Sequence, residues 1–179
     1  MHAIDTTIFR WFNSLVGIRS WIDAVIVFKS EYLGWSIVVI LFLLFLFEIK
    51  NETLFRKNWN MGWESLASGI LSRLVFTELI HFFWNRPRPF QILHDMHQLV
   101  AHESSGSFPS GHAAFFFAIA MSVFFYSRKW GIFFFIIAAY MGIGRIEAGL
   151  HWPSDILGGA LVGIFSAWII HAACNKKRT

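Results

Sequence analysis

Three short blocks of this 179-residue chain hold most of its reactive side chains: Arg86-Pro87-Arg88-Pro89, Pro109-Ser110-Gly111-His112, and Arg145 followed by His151 and Asp155. All four prolines of the chain, Pro87, Pro89, Pro109 and Pro153, fall in or beside these blocks. Together the blocks offer arginine forks, a Ser-Gly turn, two imidazoles and a carboxylate. That set can hold a phosphate by its oxygens and attack its phosphorus from a histidine nitrogen.

Each block has its own local logic. Pro109 suits the opening of a helix, and Ser110, Gly111 and His112 then present backbone N–H groups at its N-terminus, a natural seat for an anion. Pro153 and Ser154 open another helix, with Asp155 in its first turn, four residues after His151. A carboxylate so placed can fix one imidazole nitrogen as the N–H and leave the other free to attack. Arg145 can fold back onto the same face. Pro87 holds the chain extended and alternates its neighbours, so Arg88 is expected to turn to the phosphate. Arg86 fits a second phosphate or a lipid headgroup, or equally an arginine snorkelling at a membrane edge. His102 and Glu147 are further candidates for a second phosphate or headgroup.

The elements that must position these groups read as membrane helices. Hydrophobic residues make up 56% of the chain and charged residues only 15%, with 21 Phe and 9 Trp. A soluble domain carries about 25% charged residues. The expected fold is all-α: a polytopic membrane helical bundle of about five transmembrane helices preceded by interfacial or re-entrant helices. The spans are roughly Tyr32–Glu48, Trp59–Phe83, Ser110–Tyr126, Trp130–Gly144 and Ser154–Ala173. Residues 1–179 read as one membrane-embedded domain, with interfacial helices over 1–30, the bundle over 31–174 and a site loop over 84–109. Ile4, Ile8, Trp11, Phe12 and Leu15 recur at helical spacing and predict an amphipathic helix in the membrane interface. Ala24–Phe28 is too short to cross a bilayer. Arg73 and Glu78 fall deep in a span and are expected to pair inside the bundle; Glu64 is expected at an interface.

Lys50, Arg56 and Lys57, then Arg128 and Lys129, then Lys176, Lys177 and Arg178 fall on one face if there are five crossings. The positive-inside rule makes that face cytoplasmic, together with the C-terminus, and puts all three blocks on the opposite side. The net charge of +4 is spread over these short loops and forms no stripe for a nucleic acid. The lone Cys174 excludes an internal disulfide. His94, Asp95, His97 and His102 are too loosely spaced for a metal site. No pattern specifies an oligomeric state.

The blocks resemble the three-part signature of the type 2 phosphatidic acid phosphatase superfamily, from about Trp59 onward. Arg88-Pro89 matches its first part, Pro109 to His112 its second, and Arg145, His151 and Asp155 its third, with both internal spacings intact. The resemblance implies His151 as nucleophile, Asp155 as its orienter, His112 as the acid for the leaving oxygen, and Arg88, Ser110, Gly111 and Arg145 as phosphate ligands. It implies no metal or other cofactor. Two positions depart from the pattern: His81 stands where the family has lysine, as a conditional phosphate contact, and Gly144 where it has serine.

Leu99-Val100-Ala101-His102-Glu103, Ser107-Phe108, and Phe9-Arg10-Trp11-Phe12-Asn13 with Asp23 are similar to the bacterial undecaprenyl-diphosphatase branch linked to bacitracin resistance. That likeness implies a polyprenyl diphosphate substrate in a bacterial plasma membrane. The alternatives are a phosphatidylglycerophosphate or phosphatidate phosphatase, and a non-catalytic lipid-binding or scramblase-like protein.

Overall fold

The computed structural model of the chain describes residues 3–47, 52–101 and 106–176, and among these it contains helices and no strands. Helix α1 (Ala3–Asn13) is amphipathic in an unusual sense. Its buried stripe is Asp5, Phe9 and Asn13, while Ile4 and Trp11 stay 74% and 68% exposed. The apolar side therefore faces away from the protein, as an interfacial helix requires.

The next helix corrects one expectation. Helix α2 (Ser20–Val27), a π-helical turn π1 (Phe28–Tyr32) and α3 (Leu33–Phe47) run on without a break, so Ala24–Phe28 is not a separate short segment. Lys29 and Glu31 interrupt the apolar pattern there, yet both sit in π1 and pair inward, Lys29 with Glu147 and Glu31 with Arg145. Their charges are satisfied by protein, so the helix continues through them.

The second long helix has the same construction. Helix α4 (Glu52–Ile70), a second π turn π2 (Leu71–Phe76) and α5 (Thr77–Phe83) form one rod. A short α6 (Pro89–Ile92) follows, then α7 (Gly111–Tyr126), α8 (Arg128–Glu147) and α9 (Pro153–Asn175). By length and composition four helices can cross a membrane: Ser20–Leu43, Glu52–Phe83, Arg128–Glu147 and Pro153–Asn175. The fifth expected span, α7, has 16 residues. At 1.5 Å per residue it is about 24 Å long, short of a ~30 Å hydrocarbon core.

That short helix is the centre of the bundle. Ala113, Ala114, Phe116, Ala118, Ile119, Ala120 and Val123 are all buried on it, with α4, α8 and α9 packed around. Gly159 and Gly163 let α9 lie against α7, because a Cβ at 163 would stand 2.8 Å from the Ala118 nitrogen. Large apolar side chains such as Trp35, Trp63, Phe82, Leu161 and Trp168 point outward instead. At the end of the bundle away from the blocks, Glu64 is buried rather than interfacial. It accepts from Tyr126 and pairs with His171, whose ring stacks on Phe125 at 4.0 Å.

The turn from α8 to α9 places the third block. Leu150 N–H bonds the Arg145 carbonyl and Gly149 N–H the Ile146 carbonyl, the Schellman pattern, with Gly149 at φ +84°. That turn returns Leu150 to the Arg145 carbonyl and leads directly into His151. Gly149→Ala meets both an unfavourable φ and the His97 carbonyl oxygen, 2.7 Å from the new Cβ. We expect it to lower stability by more than about 1 kcal/mol, read as a depressed melting temperature in detergent. An unshifted melt would show that the turn tolerates a side chain.

Candidate active site

Asp155 lies at the centre of the buried polar cluster. At the third position of α9 its Oδ2 accepts the Trp152 N–H at 2.9 Å, the acidic half of a capping box after Pro153. The same oxygen accepts from Ser107 Oγ at 2.5 Å, and Oδ1 accepts from Arg86 at 2.7 Å. Ser110 N–H bonds the Asp155 carbonyl at 3.0 Å, which ties the start of α7 to the start of α9.

His151 is 2% exposed, and its two nitrogens face different partners. Nδ1 lies 3.1 Å from the Ser107 carbonyl oxygen and 3.6 Å from Asp155 Oδ2. The nearer acceptor is therefore the backbone, and the expected direct bond from His151 to Asp155 is replaced by one to Ser107, whose hydroxyl Asp155 holds. A carbonyl only accepts, so Nδ1 carries the proton. Nε2 faces an Arg88 N–H at 3.1 Å, and a guanidinium only donates, so Nε2 carries the lone pair. Both neighbours select the tautomer in which Nε2 is the nucleophilic atom.

Arg88 is 3% exposed and also donates to the carbonyls of Leu150 and Gly106. Burial lowers its pKa, Asp155 opposes that, and the charge of Arg73 lowers it further, to about 10. It remains a cation at neutral pH. Arg145 is fully buried; one Nη donates to Glu31 at 2.9 Å and to the Ser30 carbonyl. Its Nε and other Nη have no partner among the described residues, nor does the buried Ser110 Oγ. Unmatched buried donors are costly unless something else accepts from them, and phosphate oxygens would.

Ser110 caps α7, and Gly111 and the half-buried His112 occupy its first turn. The His112 ring lies 6.5 Å from that of Phe116, one turn on. His81 is turned to the same loop, its Nε2 3.0 Å from the Pro109 carbonyl oxygen.

Two of the expected headgroup ligands are engaged in ion pairs within the protein. Arg86 is clasped by Asp5 at 2.5 Å and by Asp155, and lies over the Trp152 ring. Glu147 is buried in its ion pair with Lys29. Neither presents a free charge to a second phosphate. The third, His102, lies outside the described residues. Gly144 also acquires a reason: a Cβ there would meet Lys29 Cβ at 2.7 Å and Ser30 N at 3.0 Å. The serine of the family pattern would push π1, and Glu31 with it, off Arg145.

Helix α1 closes this arrangement from below. Asp5 accepts from Ser154 N–H and Oγ and from Arg86. Asn13 Nδ2 donates to the carbonyls of His97 and Glu147. Phe9 packs on Trp152 with ring centroids 5.2 Å apart. Burial alone would raise the Asp5 pKa, but hydrogen bonds from Ser154 and then Arg86 outweigh it and hold the carboxyl below its ordinary value. With the folded pKa below the unfolded one, the unfolded chain binds more protons in acid. The contribution of Asp5 is complete above about pH 4 and disappears as pH falls through the folded pKa. Wild type should therefore melt higher than Asp5→Asn at pH 6, with the gap closing below about pH 4. A gap that persists in stronger acid would contradict this account.

Comparison with known proteins agrees with the geometry. The PAP2 superfamily matches residues 62–179, and the chain belongs to that family of membrane lipid phosphatases, hydrolases of phosphate esters or anhydrides. The undecaprenyl-diphosphatase BcrC of Bacillus subtilis is 33% identical over 164 residues, covering 90% of this chain and 80% of that protein. A bacitracin transport permease protein BcrC of Bacillus licheniformis is 29% identical over 168 residues, covering 94% of this chain and 79% of that protein. The crystal structure of LpxE from Aquifex aeolicus superposes with a TM-score of 0.74 at 27% identity, over 96% of each chain.

Proposed function

We propose that this multi-pass membrane protein is an undecaprenyl-diphosphatase, releasing phosphate from undecaprenyl diphosphate and leaving undecaprenyl phosphate. The observation that carries the catalytic part is the His151 ring, held between the Ser107 carbonyl on Nδ1 and Arg88 on Nε2, beside the unmatched donors of Arg145 and Ser110. The likeness to BcrC proteins over nine-tenths of the chain supports the substrate.

In the proposed reaction the terminal phosphate takes over the donors of Arg88 and Arg145, together with Ser110 Oγ and the amides of Gly111 and His112. As Arg88 turns to the phosphate oxygens, Nε2 of His151 is released and attacks phosphorus in line. An N–P bond forms while the bridging P–O bond breaks, and His112 gives its proton to the departing lipid phosphate. Water, deprotonated by His112, then attacks the phosphohistidine and frees inorganic phosphate and His151. The fixed cations and helix-start amides stabilise the charge that builds on the equatorial oxygens.

No step uses a metal, and no cofactor is required. Residues 1–179 would act as a single membrane-embedded phosphatase domain. Arg56, Arg128, Lys129 and Lys176 lie at the ends of helices remote from the site, which supports a site on the extracytoplasmic face of a bacterial plasma membrane with the C-terminus in the cytoplasm.

The deciding experiment is hydrolysis of undecaprenyl diphosphate and of phosphatidate, side by side, by purified protein with a chelator present. Faster phosphate release from the diphosphate is expected. Preference for phosphatidate would reassign the substrate, dependence on added metal would overturn the mechanism, and binding without release would mark a lipid-binding protein.

A further inference from the structure

We propose that Arg73, lying over the first residue of α7, grips the phosphate that stays on the lipid and so selects diphosphate over monophosphate substrates. The proposal rests on the diphosphatase reading above and extends it to a residue outside the three sequence blocks.

Arg73 is not inside the bundle, as its depth in the sequence predicts. It sits in π2 with its side chain 40% exposed, in an ion pair with Glu78, five residues on. The π turn has a physical consequence here. Inserting a residue into an α-helix rotates everything after it, and such turns recur at functional sites. Ser72 fixes the turn to α7 by donating to the Ala114 carbonyl at 3.1 Å. The Arg73 guanidinium then lies directly over Gly111: a Cβ at 111 would stand 2.5 Å from its Nε and 3.0 Å from its Cζ.

This position borders the anion seat. Gly111 follows Ser110, whose buried hydroxyl has no partner, and precedes His112. Arg88 and Arg145 are nearly or wholly buried, as a pocket for the reacting phosphate would require. Arg73, by contrast, has its side chain 40% exposed while it lies against Gly111, so it can meet a group that extends outward from the buried seat. The field of Arg73 is felt at Arg88, so the two guanidiniums belong to one electrostatic site. Two neighbouring cations repel each other until an anion lies between them. A diphosphate carries more charge than one seat can neutralise. Of the other residues considered for its second phosphate, Arg86 and Glu147 are occupied by Asp5, Asp155 and Lys29, and His102 lies outside the described residues.

The test compares wild type, Arg73→Ala, Arg73→Gln and Arg73→Lys on undecaprenyl diphosphate and on phosphatidate, with elution position and melting temperature confirming the fold. Arg73→Ala and Arg73→Gln should lower kcat/KM for the diphosphate about 10- to 100-fold, the size of a lost charge-assisted contact. Most of the loss should lie in KM, phosphatidate should change less than about threefold by the same reasoning, and Arg73→Lys should recover part of the loss. Equal losses on both substrates, or no loss on the diphosphate, would overturn the proposal.

A binding arm separates it from the function itself. Methylenediphosphonate, which cannot be hydrolysed at its bridge, and inorganic phosphate are titrated into the same proteins. Arg73→Ala should weaken the diphosphonate alone; equal weakening of both, or of neither, counts against Arg73. Selective weakening in a protein that hydrolyses no lipid phosphate would sink the diphosphatase reading and leave the role of Arg73 standing.

Discussion

Replacing His151 with Ala or Gln is expected to remove turnover, by on the order of 10⁴-fold or more, while the protein remains folded. The size follows from the proposed role: among the described residues no other imidazole is bracketed by Ser107 and Arg88, and without Nε2 the proposed first displacement has no nucleophile. Alanine leaves a cavity and an unmatched Ser107 carbonyl in a site only 2% exposed, so it carries a stability cost of its own. Glutamine keeps most of the volume and an N–H donor, and it separates chemistry from folding. Phosphate release at saturating lipid diphosphate is the measurement, with elution position as the control. Near-normal release from a folded His151→Gln protein would refute the assignment.

Asp155→Ala is expected to do comparable damage through the fold. Three donors lose their acceptor at once: the Arg86 guanidinium, Ser107 Oγ and the Trp152 N–H. Removing one partner of a buried ion pair costs about 3–5 kcal/mol when the other charge is left alone. Arg86 keeps Asp5, so the loss is expected toward the lower end, with the unmatched Ser107 Oγ and Trp152 N–H adding to it. Activity should also fall, since Ser107 is released and its carbonyl no longer fixes His151 Nδ1. The double variant Asp155→Ala with Arg86→Ala provides the check. Its loss of stability should be clearly smaller than the sum of the two single losses, because they share one interaction. Simple additivity would show that the Arg86–Asp155 pair carries no coupling.

The legible parts of this fold are those encoded over short distances. Pro153 with Asp155 gives the start of α9, and the apolar runs give the long helices. The block residues Arg88, Ser110, His151 and Asp155 do lie in one buried cluster with Arg145 beside it. What the sequence conceals is long-range or carried by the backbone. The acceptor on His151 Nδ1 is a carbonyl, and a carbonyl leaves no mark in a residue pattern. The fates of Arg86 and Glu147 depend on Asp5 and Lys29, 81 and 118 positions away in the chain. Lys29 and Glu31 look like helix breakers only until their partners on α8 are known. A π turn has no composition of its own, which is why Arg73 reads as a bundle-interior charge and instead stands over Gly111. Glu64 reads as interfacial for the same kind of reason, since Tyr126 and His171 come from two other helices.

The clasp of Asp5 onto Arg86 and Ser154 joins residues 149 apart in the chain. A ribosome making this protein must emit position 154 before Asp5 has its full set of donors, so the floor beneath His151 cannot form until the start of α9 has been made. A nascent chain stalled before the final rod would hold arginines without their restraints. Closure of the site is therefore expected to come in one step, when α1 meets the start of α9.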